Sequence, residues 1–319
     1  MSTLPPRVVV VARPSELTEL AQRHGTLQQA RFALARGAAG PDPLAELSHR
    51  HTLLASALHA VEVAIPEAWR RARVLRAELP RFLFEPEDLV VVVGQDGLVA
   101  NVSKYLQGQP ALGINPAREI YDGILVRHLP REAPDVYATF AAGTLRAEAR
   151  TMVQAESSDG QRLLALNEIF IGHRTHQSAR YRIACMRAQA SAPADDPAAT
   201  PAALAPSAER HSSSGVIVTT GTGATGWAKS IARARLGAAP LPAPLAPELA
   251  FFVREAWPSV ATGTALTDGV LAPGDVLTLT SEMNDGGTAF GDGIEDDRLD
   301  LPYGQRLTIS RAPTTLQLV

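Results

Sequence analysis

The sequence predicts an α/β segment with a parallel sheet followed by a mostly-β segment. Three observations carry that expectation. Two continuous β-branched runs, Arg7-Val8-Val9-Val10-Val11-Ala12 and Leu89-Val90-Val91-Val92-Val93, read as strands buried on both faces, as parallel sheets require. Each is followed by apolar residues at helical spacing. From about residue 163 the pattern changes to short strand-like runs separated by turn residues.

In order along the chain, Pro14 and Ser15 mark a helix start before Leu17, Leu20 and Ala21. A longer helix is expected over roughly 44–64, with Leu53, Leu54, Leu58 and Val61 on one side. The second valine run is broken by Gly94-Gln95-Asp96-Gly97. After it Leu98, Val102, Tyr105 and Leu106 recur at intervals of three and four. Ala111-Leu112-Gly113-Ile114-Asn115-Pro116 reads as a further strand and turn. Strand-like runs follow at 163–171, 181–186, 215–220, 275–280, 306–310 and 315–318, and a helix is expected from Trp227 to the Pro-rich stretch 240–247. The expected division is residues 1–130 and 131–319, with a C-terminal end able to pack back on the first domain. The Ala- and Pro-rich stretch 188–212 cannot build a packed core and is expected to be a flexible surface insertion.

Composition narrows the function. The 319 residues are 45% hydrophobic and 20% charged, enough for about two globular domains. With 30 Lys and Arg against 33 Asp and Glu, the net charge of -3 argues against bulk binding to nucleic acid or an anionic membrane. No apolar run approaches the roughly 20 residues that span a bilayer, and Met1-Ser2-Thr3-Leu4-Pro5-Pro6 does not resemble a signal peptide. Cys185 is the only cysteine, which excludes an internal disulfide and a cysteine-based zinc site. A cytoplasmic protein is expected.

Three segments could carry chemistry. Gly94-Gln95-Asp96-Gly97 lies between a buried strand and a helix, where glycines admit a ligand close to the backbone and free N–H groups favour phosphate. Asp96 would not bind phosphate itself. It could accept a proton from an attacking hydroxyl or hold magnesium. The plainer reading is an Asp-Gly hairpin turn, against which the helical spacing after Gly97 weighs. Gly221-Thr222-Gly223-Ala224-Thr225-Gly226 fits G-x-G-x-x-G, but a Rossmann unit needs a second parallel strand with an acidic residue about 20 positions on. Here the chain enters Pro240-Leu241-Pro242-Ala243-Pro244, which disfavours a Rossmann oxidoreductase. Asn167-Glu168 interrupts an apolar run, so its polar groups need partners. A ribose or adenine would supply them, and a strand end at the surface is the alternative. His173 and His176, either side of Arg174, lack a third metal ligand and are expected in a solvated loop. Asp292, Glu295, Asp296 and Asp297 lack calcium-loop spacing and are expected as turns and a solvated edge.

Taken in order, these segments resemble the NAD kinase family, whose markers are a G-G-D-G-T loop, an N-E dipeptide and a T-G-T-G-S or T-P-T-G-S loop. The similarity is nearest to the mitochondrial type and its bacterial relatives. Gly113-Ile114-Asn115-Pro116, Ser213-Ser214-Gly215 and Val253-Arg254-Glu255 support it. The resemblance runs from about Val8 to the C-terminus and fails in the Ala/Pro stretch.

It implies an N-terminal Rossmann-like α/β domain joined to a C-terminal β-sandwich, and transfer of the γ-phosphoryl group of ATP, with magnesium, to the 2′-hydroxyl of the adenosine ribose of NAD, giving NADP. By that likeness Asp96 is the general base, and Gly94, Gln95 and Gly97 line the phosphates. Asn167, Glu168, Thr222, Thr225 and Trp227 contact NAD, no side chain is assigned as a metal ligand, and the protein is a homodimer. Gln95 in place of the second glycine, and Leu98 in place of the threonine, depart from the pattern and put donor binding in question. Two alternatives remain: a non-catalytic NAD(P)-binding protein with an impaired donor loop, and a related kinase acting on a lipid or another alcohol.

Overall fold

The structure, a computed structural model, describes residues 4–35, 43–188 and 208–319. It divides into two compact units, residues 1–148 with 316–319, and residues 149–315.

The first unit is α/β. Strand β1 (Arg7–Ala12) leads to helices α1 (Glu16–His24), α2 (Leu27–Ala35) and α3 (Pro43–Val63). Then come β2 (Arg70–Leu75), β3 (Asp88–Val93), α4 (Asp96–Ser103), β4 (Pro110–Ile114) and α5 (Ala133–Ala141). The four strands are parallel in the order β2-β1-β3-β4. The valines of β1 and β3 are buried on both faces, as their unbroken apolar character requires. One face of the sheet packs Val8, Val10, Val91 and Leu112 against Ala57, Leu58 and Val61 of α3 and Ala133, Val136 and Tyr137 of α5. That packing accounts for the position of the division. The boundary expected near residue 130 falls after Glu148, because α5 completes the first core and the Tyr137 hydroxyl donates to the Val61 carbonyl.

The second unit is all-β apart from one short helix. It holds β5 (Glu148–Ser157), β6 (Arg162–Ala165), β7 (Glu168–His173), β8 (Ala179–Met186), β9 (Glu209–Ser213) and β10 (Val216–Thr219). After α6 (Trp227–Arg233) come β11 (Leu249–Val253), β12 (Asp268–Leu271), β13 (Val276–Ser281), β14 (Gly287–Gly291), β15 (Ile294–Asp300) and β16 (Arg306–Leu318). An all-antiparallel sheet runs β12-β11-β10-β7-β14-β15. A second sheet runs β6-β5-β16-β13-β8-β9. Alternate residues of both, among them Ile169, Ile171, Val218 and Phe251 from one and Val153, Ile183, Leu277 and Leu307 from the other, form one core. Strand β16 is a single run rather than the two expected. Its last residues, Gln317 and Leu318, pair in parallel with Pro110 and Ala111 of β4 within the first unit.

Of the stretch 188–212 expected as a flexible insertion, residues 189–207 lie outside the described residues. Glu209–Ser213 is ordered as β9, paired antiparallel with β8. Helix α6 ends at Arg233, well short of the Pro-rich stretch. Among the described residues no helix is long and apolar enough to cross a membrane.

Candidate functional site

The Gly-Gln-Asp-Gly loop leaves β3 at Gly94, whose N–H donates to the Ile114 carbonyl at 3.0 Å. Gln95 caps α4 with φ -113° and ψ 163°, ordinary extended backbone, so this position makes no demand for glycine on conformational grounds. Its Oε1 accepts from Arg13 Nη2 at 3.1 Å, and both residues line a cavity with Ser15, Arg50 and Tyr121. Gly97 is exposed, and a Cβ there would meet nothing within 4 Å. Leu98 is buried at 3% exposure, so the position where the family motif has threonine serves the core here.

Asp96 opens α4, where a negative charge complements the helix N-terminus. Its Oδ1 accepts the backbone N–H of Leu125 at 2.8 Å and of Val126 at 3.0 Å, and its Oδ2 that of Ile124 at 3.0 Å. A carboxylate offers about four lone-pair sites, so one remains, on Oδ2. Gly113 makes this possible: a Cβ there would overlap the Leu125 carbonyl oxygen, so only glycine lets the 124–126 segment lie against β4. Asn115 holds the same turn, its Oδ1 accepting from Ala117 N–H and its Nδ2 donating to the Tyr121 carbonyl, each at 3.0 Å.

In the second unit, the run expected as one strand over 163–171 is two, β6 and β7, with Leu166 and Asn167 between them. The break has a specific cause. Asp292, at the β14–β15 turn with φ 54°, accepts the N–H of Leu166 at 3.0 Å and of Asn167 at 2.7 Å. Its own N–H donates to the Glu168 carbonyl at 3.0 Å. The Asn167 carbonyl in turn accepts the Thr220 N–H at 2.9 Å. The backbone of the corner is thus satisfied, while the Asn167 amide and the Glu168 carboxyl have no hydrogen-bond partner among the described residues. Burial, reinforced by the Asp292 carboxylate, pushes the Glu168 carboxyl up to about 7. Asp292, expected among turns and a solvated edge, sits at the β14–β15 turn, and there it organises this corner.

The Thr-Gly loop packs onto the same corner. Thr220 Oγ1 donates to the Leu166 carbonyl at 2.6 Å and accepts the N–H groups of Thr222 and Gly223 at 3.1 and 3.2 Å. Those two N–H groups are therefore committed internally and do not form a phosphate cradle. Gly223 abuts the Asn167 carbonyl and Gly221 the Ala243 carbonyl so closely that a Cβ at either would overlap the oxygen. The first two glycines that mimic a dinucleotide fingerprint, Gly221 and Gly223, are packing glycines. The Thr222 hydroxyl is buried and without a partner. Thr225 and Trp227 are exposed; the Trp227 ring stacks on Phe170 at 5.7 Å between centroids, and the Arg254 guanidinium lies 5.2 Å from its centre. Phe170, passed over in the sequence, lies flat because Gly172 and Gly215 leave room beside its ring.

The second unit thus brings together Asn167, Glu168 and Thr222, with Thr225 and Trp227 on the exposed side of the same loop. Gly94, Gln95, Asp96 and Gly97 form a second group in the first unit. Among the described residues no cluster of three or more His, Cys, Asp or Glu side chains is placed to hold a metal. No protein-family model matches the chain, and no curated protein matches it.

Proposed function

We propose that the chain is an NAD kinase-like enzyme that transfers the γ-phosphoryl group of ATP to the 2′-hydroxyl of the adenosine ribose of NAD. The observation that carries this reading is the corner at Asn167-Glu168. Its backbone is fully bonded, yet an amide, a carboxyl pushed up to about 7 and a buried hydroxyl, Thr222, are left without protein partners. A buried hydroxyl without a partner is costly unless a ligand answers it, and the half-buried amide and carboxyl of the same corner are open to one. The hydroxyls of a ribose and the nitrogens of an adenine are suitable answers.

In the proposed reaction the lone pair left on Asp96 Oδ2 takes the proton of the 2′-hydroxyl. The oxygen bonds to the γ-phosphorus as the bond to the β-phosphate oxygen breaks, and ADP leaves. Magnesium enters with the nucleotide as part of the substrate. One free lone pair on a single carboxylate does not make a protein-held magnesium site.

A second reading is favoured by one observation. Three backbone N–H bonds to Asp96 equally suit a purely architectural carboxylate, and the chain would then bind a dinucleotide without phosphorylating it. The test is NADP formation from NAD, ATP and magnesium by the purified protein, beside calorimetric titration of NAD. NADP formed well above an Asp96→Asn control supports the kinase. NAD binding without NADP selects the second reading, and absence of both rejects NAD as the ligand.

A further inference from the structure

We infer that the second unit carries another small-molecule site, on β7, β14 and β15, for a ligand that combines a flat ring with an anionic group. It does not rest on the function proposed above, although Phe170, in its wall, also stacks on Trp227. A cavity of about 360 Å³ is lined by Phe170, His173, Arg174, Thr288, Phe290, Glu295 and Arg298. That volume lies within the range of small-molecule sites.

One buried polar atom in its wall, Thr288 Oγ1, has no hydrogen-bond partner; His173 Nε2 also has none, but it packs against Gly286, on the opposite face of the sheet from Thr288. Thr288 is 2% exposed and the His173 side chain 5%. His173 Nδ1 lies 3.1 Å from the Thr175 backbone nitrogen and 2.8 Å from its hydroxyl, while Nε2 abuts Gly286. The nearest carboxylate, on exposed Asp285, is 4.0 Å away, beyond hydrogen-bond reach. Buried polar groups without partners are rare in proteins, and the Thr288 hydroxyl calls for a hydrogen-bond partner from outside the chain.

The other walls define the rest of the ligand. Phe170 and Phe290, 5.1 Å apart between centroids, give an apolar face suited to a ring. Arg298 is paired with Asp300, which leaves Arg174 as the cation open to a phosphate or carboxylate. The Arg174 guanidinium makes no hydrogen bond or ion pair among the described residues. Of His173 and Arg174, expected in a solvated loop, the histidine side chain is buried and the arginine is exposed.

The test is calorimetric titration of the full chain with phenyl phosphate and, separately, with indole-3-acetate. The two probes share the ring and the anion and separate a phosphate ligand from a carboxylate one. Saturable 1:1 binding of either is expected. Thr288→Val should weaken it roughly fivefold without lowering the unfolding midpoint, because the hydroxyl has no partner in the protein. Arg174→Ala, on the surface, should weaken it roughly tenfold. Asn167→Ala should leave it unchanged. The site is refuted if neither probe binds, if both cavity variants bind as the parent does, or if Asn167→Ala weakens binding as much as Arg174→Ala.

Discussion

Replacing Asp96 separates its two conceivable roles, because the structure assigns it measurable architectural work whatever its chemistry. In Asp96→Ala the N–H groups of Ile124, Leu125 and Val126 lose their acceptor. Ile124 is exposed and water replaces its bond. Leu125 and Val126 are buried, at 2% and 1% exposure, so their orphaned donors carry most of the cost. At about 1–2 kcal/mol for each unsatisfied donor, the loss is about 2–4 kcal/mol. In Asp96→Asn the amide oxygen can still accept from Leu125 and Val126, while the amide NH2 faces the Ile124 N–H, so the expected loss is only about 1 kcal/mol. Urea unfolding followed by circular dichroism measures both. On the same samples, a general base predicts NADP formation lowered roughly 100-fold or more in Asp96→Asn, far beyond what lost folding explains. An Asp96→Ala stability within about 0.5 kcal/mol of the parent would refute the three-bond anchor and the reasoning built on it.

Three further predictions follow from the same geometry. The Glu168 carboxyl, pushed up to about 7, binds its proton more tightly in the folded chain than in the unfolded one. Stability should therefore fall as pH rises from about 4.5 to 7 and level off above, by roughly 3 kcal/mol in all, and Glu168→Gln should abolish that slope in urea melts taken across the range. Asp292→Ala removes the acceptor for Leu166 and Asn167, and should cost about 2–3 kcal/mol while lowering the Glu168 titration seen by NMR. An unmoved titration would show that burial alone sets it. Gly223→Ala should destabilise by more than about 2 kcal/mol through overlap with the Asn167 carbonyl, whereas Gly97→Ala, in open space in the first turn of α4, should be neutral or stabilising by up to about 1 kcal/mol. If Gly97→Ala folds normally yet loses NADP formation, the bare backbone at Gly97 is needed for a ligand rather than for the fold.

The central β-rich and α/β character was legible in the residues. Unbroken valine runs in β1 and β3 announce strands buried on both faces, and the spacing after Gly97 announces α4. Strand β2 was not legible: Arg70-Arg71-Ala72-Arg73-Val74-Leu75 is too charged to look like a strand, and it forms one because it pairs only with β1, at the edge of the sheet. The limit of α5 within the first unit was likewise hidden, since no local pattern says that Tyr137 will meet Val61.

At the candidate site, residue type announced the polar corner at Asn167-Glu168 and the glycine-rich loop, because a polar pair in an apolar run and glycines after a strand are local signals. What those residues do was decided by partners distant in the chain. Asp292, 125 residues beyond Asn167, bends the corner, fixes its backbone bonds and helps push the Glu168 carboxyl up. Gly221 and Gly223 are required by carbonyl oxygens of Ala243 and Asn167, and Asp96 is held by a segment lying beside a glycine of β4. Residue type and apolar periodicity located most strands and helices, because both are properties of neighbouring residues, but not β2 or the break between β6 and β7. Only the tertiary structure decided which polar atoms are satisfied and which are left open, because that depends on groups brought together from far along the chain.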